Sequence, residues 1–235
     1  AQDIPLAVTI QVSGGRVEVD FTGTAMQVAG NINCPLSVTA AGVFYVFRCL
    51  MPSHTPACAG SFQGIRLSAP EGCLVNARRP AAVAAGNVET SSRIVDVVMG
   101  ALAQALPDRI PAASQGTMNN LAMGVRGDEF CWDYYETMGG GMGAGSQRAG
   151  LSATQSHMTN TLNTPIEVLE MDFPLQVNRY QLRRGSGGAG RHRGGDGLVR
   201  EFEFHAPAVV TLFTERRRHQ PWGLQAGSAG AAGAN

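Results

Sequence analysis

Glycines at positions 139, 140, 141, 143 and 145 run into a stretch crowded with amides and hydroxyls, and this pairing restricts the chain more than any other feature. A residue without Cβ lets the backbone adopt positive φ or approach another group closely. The polar stretch that follows carries Gln155, His157, Thr159, Asn160, Thr161, Asn163 and Thr164 ahead of the run IEVLEMDF. Groups of this kind are not buried without hydrogen-bond partners. They either knit a rigid turn or face a polar ligand. Two further glycine clusters lie at 185–197 and 223–233. β-type runs flank the first two clusters, which points to loop-rich architecture rather than flexible linker. The third, GLQAGSAGAAGAN, has few apolar anchors and is expected to fray.

Around these loops the periodicity predicts an α+β fold, with mixed or antiparallel β-sheets and two main helices. PLAVTIQV and RVEVDFTG alternate and meet at Ser13-Gly14-Gly15, the signature of a hairpin. The chain starts mid-strand, so residues are expected upstream. A helix is expected from Leu36 to Met51, with Val43, Phe44, Phe47 and Leu50 on one face and Pro52 ending it. Another begins near Thr90, where Ile94, Val97, Val98, Ala101, Leu102 and Ala105 form the stripe, Thr90 or Ser91 the N-cap and Pro107 the stop. GIRLSAP reads as a short strand. Beyond residue 114 the pattern is mainly β: NNLAMGV, EFCWDYYET, IEVLEMDF, QVNRYQLR, GLVREFEFH and AVVTLFTE. No linker-like break divides the chain, which favours one domain or part of one.

Composition removes several functions. The formal net charge is zero, so no basic face favours nucleic acid or an anionic membrane. All 18 basic residues are arginine. Without lysine these residues supply no Schiff base, Walker-type phosphate loop or kinase-type phosphate lysine. Cysteines 34, 49, 58, 73 and 131 are odd in number and lack CxxC spacing, which reads as reduced thiols in a cytoplasmic protein. No apolar run reaches the length of a membrane span.

Chemistry could reside in five places. Thr22, Thr24, Asn31 and Asn33 follow the second strand as a turn network or a ligand face. Asn87, Glu89 and Thr90 precede a helix, whose positive end can hold an anion or simply be capped. Gln115, Thr117, Asn119 and Asn120 crowd a strand entry, where paired asparagines also suit left-handed turns. His157 could act as acid/base, substrate contact or structural hydrogen-bond partner. No HxxxH or HExxH spacing accompanies it, so no metal ligand is assigned. The fifth, RRGSGGAGRHRGGDG, superficially resembles a phosphate loop, yet it lacks lysine and leads into a strand, so a tight hairpin with solvated arginines fits equally. The run ERRRHQPWG reads as a solvated face or a patch for an acidic partner. Cys131 has no paired motif to make it a nucleophile.

Taken in order, VDFTGTAMQVAGNINCPLSVT, APEGCLVNARRPAAVAAGNVETSSRIVDVVMG, ASQGTMNNLAMG, YYETMGGGMGAG, HMTNTLNTPIEVLE, RYQLRRGSGGAGRHRGGDGLVREFEF and ERRRHQPWGL resemble the hydantoinase B/oxoprolinase family over nearly the whole chain. The resemblance implies that residues 1–235 are a partial domain of that family, its N-terminal part absent. It implies a subunit or segment of an ATP-dependent cyclic amidohydrolase opening a 5-oxoproline or hydantoin-type ring. ATP would be bound by a hydantoinase A-type partner subunit or domain, and a divalent metal is possible in the absent N-terminal part. Related subunits serve acetone- and acetophenone-type carboxylases, and a non-catalytic scaffold half is the third alternative. Mapped onto the family's motifs, His157 and Glu136 are the proton-transfer candidates. Asn119, Asn120, Thr159, Asn160, Asn163 and Glu89 are the substrate-binding ones. Where family members often carry arginine in TNTRNTP, this chain has Leu162.

Overall fold

A computed structural model describes residues 3–127 and 130–235. By its contacts the chain divides into two compact units, Ala1–Pro111 and Ala112–Asn235.

In the first unit the alternating runs form the expected hairpin, β1 (Thr9–Ser13) and β2 (Arg16–Asp20), paired antiparallel from Thr9↔Asp20 to Ser13↔Arg16. Gly14 and Gly15 have φ of 54° and 75°, the conformation a two-residue hairpin loop needs to match strand twist. β3 (Ile65–Ser68) lies parallel to β2 on its other edge. Helix α1 (Leu36–Leu50) follows the predicted range, but Thr39, Gly42, Val43 and Val46 are its buried residues. Phe44, expected on the buried stripe, is only half-buried and stacks on Phe62 at 4.7 Å.

Helix α2 (Ser91–Ala103) packs on α1 where Gly42 faces Ile94; a Cβ at 42 would lie 2.9 Å from Ile94 Cγ2. Thr90 stands at the expected N-cap position, but it makes no side-chain capping bond. Thr90 is itself helical and closes a π-helical turn, Gly86–Thr90, that continues into α2. Its hydroxyl donates to Ile32 O at 2.5 Å instead of capping.

The second unit holds the remaining strands. β4 (Asn120–Arg126) sits between β5 (Cys131–Thr137) and β8 (Val209–Phe213), both antiparallel to it. Glu129, in the expected β5 run, lies outside the described residues. β6 (Leu175–Arg183) and β7 (Gly197–Phe204) form a separate antiparallel hairpin. Between β5 and β6 comes the clearest departure from the sequence reading. IEVLEMDF is not a strand: Ile166–Asp172 is a helix, α3. Pro165 precedes its first turn, where it lacks no needed donor, and Glu167 there complements the helix dipole. Leu169 is its fully buried anchor. The core of this unit gathers Leu121 and Met123 of β4, Trp132 of β5, Leu169 of α3 and Leu175 of β6, with Phe173, Phe202 and Phe204 packed against them.

The glycine clusters pack backbone against backbone. None of Gly139, Gly140, Gly141, Gly143 or Gly145 is in the positive-φ region; close approach is their use. A Cβ on Gly141 would lie 2.0 Å from Gly195 O, and one on Gly143 1.7 Å from Ala112 O. Nor does the last cluster fray. Gly230 N donates to Pro221 O at 2.9 Å and Ala231 N to Ser186 O at 2.8 Å.

Candidate functional site

Two of the five polar constellations resolve into internal networks. Asn33 is fully buried, its Oδ1 accepting from Val28 N at 2.7 Å and its Nδ2 donating to Val28 O, Gly30 O and Ala82 O at 2.8–3.0 Å. This is a turn network with every polar atom of the amide used. In the glycine loop 183–197 a carboxylate of the loop itself binds the loop's own donors. Asp196 Oδ1 accepts from Gly187 N at 2.9 Å and from Arg193 Nη2 at 3.0 Å. The Gly187 backbone bond first, with help from the Gly185 and Ser186 backbone and Arg193, holds the Asp196 carboxyl below the usual range. Gly187 N and Arg193 are therefore engaged within the loop itself. The ERRRHQPWG run is solvated only in part: Glu215, Arg218, His219 and Gln220 are exposed, whereas Arg216 is buried and Arg217 Nη1 donates to Asn119 Oδ1 at 3.1 Å.

The densest polar assembly lies where β4 enters and β5 ends. Their register sets Asn120 opposite Thr137 and Leu121 opposite Glu136. Period-two alternation puts Tyr134 and Glu136 on the face of β5 that also carries the core residue Trp132. Glu136 is buried. Its Oε2 accepts from Tyr134 Oη at 2.6 Å and from Asn163 Nδ2 at 3.2 Å, and its Oε1 accepts from Arg200 Nη1. Burial, then the bond to Glu136, raises the Tyr134 phenol above its ordinary pKa. Asn163 Nδ2 also donates to Thr137 O at 2.8 Å, and Tyr180 Oη donates to Asn163 Oδ1 at 3.4 Å. Gln155 Nε2 lies 3.3 Å from Thr137 Oγ1.

Gln155 and Asn163 thus anchor on Thr137 the two ends of a loop that contains His157, Thr159 and Asn160. Inside it Thr159 is buried, His157 half-buried, and Asn160, Thr161 and Leu162 are exposed. His157 has φ of 56° and Asn119 of 46°. Left-handed backbone at non-glycine residues is uncommon and concentrates where surroundings enforce a functional geometry. Gln155 Oε1 and Ser156 Oγ are buried without a hydrogen-bond partner among the described residues.

Of the residues singled out in the sequence, Glu136 and Asn163 bond each other and His157, Thr159 and Asn160 follow on the loop tied to Thr137, while Asn119 and Asn120 lie at the neighbouring strand entry, Asn120 on the opposite face from Glu136. Asn120 Oδ1 accepts from Tyr135 Oη. Glu89 lies in the first unit, buried in the π-helical turn. Sequence reasoning missed Arg200 and Tyr180, and it noted Gln155 in the polar stretch without giving it a role. Tyr134 could have been found from its two-residue spacing to Glu136; nothing local marks Arg200. Among the described residues no three of His, Cys, Asp and Glu cluster as metal ligands would. The Arg179–Arg184 side of β6 lines a groove with Val199 that contains none of these residues.

Comparison with known proteins agrees with this architecture. The family model described as hydantoinase B/oxoprolinase matches residues 1–235. The chain is 46% identical over 232 residues to 5-oxoprolinase 1 of Arabidopsis thaliana, covering 99% of this chain and 18% of that protein. It is 40% identical over 232 residues to 5-oxoprolinase of Dictyostelium discoideum, covering 99% of this chain and 18% of that protein. The crystal structure of the ATP-dependent caprolactamase from Pseudomonas jessenii superposes with a TM-score of 0.80 at 26% identity, over 92% of this chain and 38% of that chain. The chain therefore spans less than half the length of each.

Proposed function

Because the chain belongs to the hydantoinase B/oxoprolinase family, we propose that it is a segment of an ATP-dependent enzyme that opens a cyclic amide of the 5-oxoproline or hydantoin type. The full-length match to the family model supports the reaction class. The loop 155–163, pinned at both ends to Thr137 and presenting Asn160 outward, is the observation that favours substrate contact in the second unit. ATP belongs, in this reading, to a hydantoinase A-type partner, where its phosphoryl group would activate the amide oxygen. The lysine-free sequence fits that division of labour.

The chain's own residues then orient the ring and handle a proton. Asn160, Thr159 and Asn119 supply neutral hydrogen-bonding groups suited to a ring carbonyl or the oxyanion that develops from it. His157 transfers the proton: a histidine titrates near neutrality, and this one lies on the same loop. Glu136, the second proton-transfer candidate, has both carboxylate oxygens engaged and is buried, and we assign it the task of holding Asn163. Asn163 ties the loop to Thr137, and Asn120 stands opposite Thr137 at the same strand end. Glu89 keeps its proposed role only within the first unit.

Reconstitution of the full-length protein with its A-type partner tests the proposal. The panel holds 5-oxoproline, hydantoin, N-methylhydantoin, and acetone with bicarbonate. ATP consumption that depends on a cyclic amide and yields ring-opened product is expected. ATP consumption that depends on ketone plus bicarbonate would replace the hydrolase reading with a carboxylase.

A further inference from the structure

The ion pair between Arg200 and Glu136 is the most enclosed pair of opposite charges among the described residues, with side chains only 2% and 5% exposed. It also joins different sheets, Glu136 standing on β5 of the three-stranded sheet and Arg200 on β7 of the hairpin. Taking two charges out of water costs several kilocalories per mole per ion, and such a pair is seldom a net source of stability over apolar packing. What the pair can do that apolar side chains could not is fix the direction of the groups bonded to it.

The surroundings of the guanidinium show the use. Arg200 Cζ lies 4.6 Å from the Tyr180 ring centroid and 5.0 Å from that of Phe202. A planar cation held against aromatic faces is fixed in orientation as a lysine would not be. Its Nη1 donates to Glu136 Oε1, while Nε and Nη2 are buried with no hydrogen-bond partner among the described residues. Solvent does not reach those nitrogens, so a substrate does not either. With Oε1 committed to Arg200, Oε2 is turned to Tyr134 and Asn163. Tyr180, which stacks on Arg200, also donates to Asn163 from its hydroxyl. Asn163 therefore receives both its acceptor and a donor from groups that Arg200 orients, and Asn163 closes the loop that carries His157 and Asn160.

We propose that Arg200 is a positioning residue: through Glu136 and Tyr180 it fixes Asn163 and so holds the loop 157–163 in the geometry the reaction uses. It touches no substrate. The functional part of this statement rests on the proposed cyclic-amide reaction; the structural part does not.

The test uses the full-length protein assembled with its A-type partner, comparing wild type with Arg200→Met, Arg200→Lys and the double variant Glu136→Leu/Arg200→Met. The double variant guards against misfolding, since Arg200→Met alone strands a buried carboxylate, whereas removing both charges restores an apolar contact. Backbone amide exchange across 157–163 is read first. Release of the anchor is expected to raise it by about tenfold or more in whichever methionine variant stays folded, with exchange in β4 and β5 unchanged. Arg200→Lys is expected to recover little of the protection, because it keeps charge without the planar stack. Turnover is read second: kcat should fall by about 10²-fold while KM moves by less than about threefold, as misplaced reacting groups produce. Unchanged loop exchange in a folded variant overturns the positioning role, whatever the activity. A loosened loop with unaltered kcat upholds the positioning role and sinks the catalytic assignment of the loop instead.

Discussion

Cysteine 58 and cysteine 34 show how far apart the fold sets two side chains of one type. Cys34 is fully buried, and burial pushes its thiol up to about 11. Cys58 is exposed and accepts stabilisation from Ser61, which lowers its thiol below the ordinary value. Only thiolate alkylates at a useful rate. With limiting iodoacetamide at about pH 7.5, peptide mapping should find Cys58 modified first and Cys34 protected; faster labelling of Cys34 would contradict the burial described. At this scale the sequence was legible where one residue type answers one local need. Gly14-Gly15 demanded a tight hairpin, and it is there. The left-handed backbone at Asn119 was within the reading, since paired asparagines suit such turns, but that at His157 was not, because no local signal marks it. Arg200 was illegible for the same reason. Its partner Glu136 lies 64 positions away, and a strand arginine ordinarily faces water.

Elements were read well where periodicity was long. α1, α2 and the β4–β8 strands, β5 included over its described residues, fall close to where alternation or the helical stripe put them. α3 was misread because an apolar run of this length fits a buried strand as well as a short helix, and only Pro165 and Glu167 argued otherwise. The π-helical turn that leads into α2 was not foreseen, because it carries no composition signal. The glycine-rich segments allow two predictions. Gly143→Ala would set a Cβ 1.7 Å from Ala112 O, a backbone clash that no rotamer relieves. It should destabilise by about 3 kcal/mol or more in urea unfolding, whereas Gly145→Ala, with open space around it, should be nearly neutral. Equal effects would refute close approach as the reason for the tract. In the loop 183–197, Asp196 has a folded pKa below its unfolded value of about 4. Its contribution is therefore present above that pH and is lost as pH falls through the folded value. Melting temperature should drop more steeply for wild type than for Asp196→Asn between about pH 5 and pH 3; parallel curves would show that the carboxylate does not organise the loop.

At the scale of the whole molecule, the family was legible from ordered motifs while the site was legible only in part. The α+β class, with small mixed and antiparallel sheets, follows from element types and is what the chain forms. That the chain resolves into two compact units was not visible, since no composition shift marks Pro111. No helix among the described residues is long and apolar enough to cross a membrane. The motif-mapped polar residues of the second unit gather at one sheet end because β4–β5 register brings Asn120 to Thr137, and Thr137 receives both Gln155 and Asn163. A scaffold could contain such a network too, and left-handed backbone also occurs at Ala153, Gln225 and Ala226, so activity has to separate a catalytic loop from a scaffold. Turnover per assembled complex of His157→Ala, in the full-length protein with the proposed A-type partner, separates the two most directly. A loss of about 10²–10⁴ in kcat for cyclic-amide opening, with assembly and melting temperature unchanged, is the result expected of a proton-transfer residue. A loss below about tenfold in an intact complex would return His157 to a structural role and contradict the placement of the chemistry in this loop.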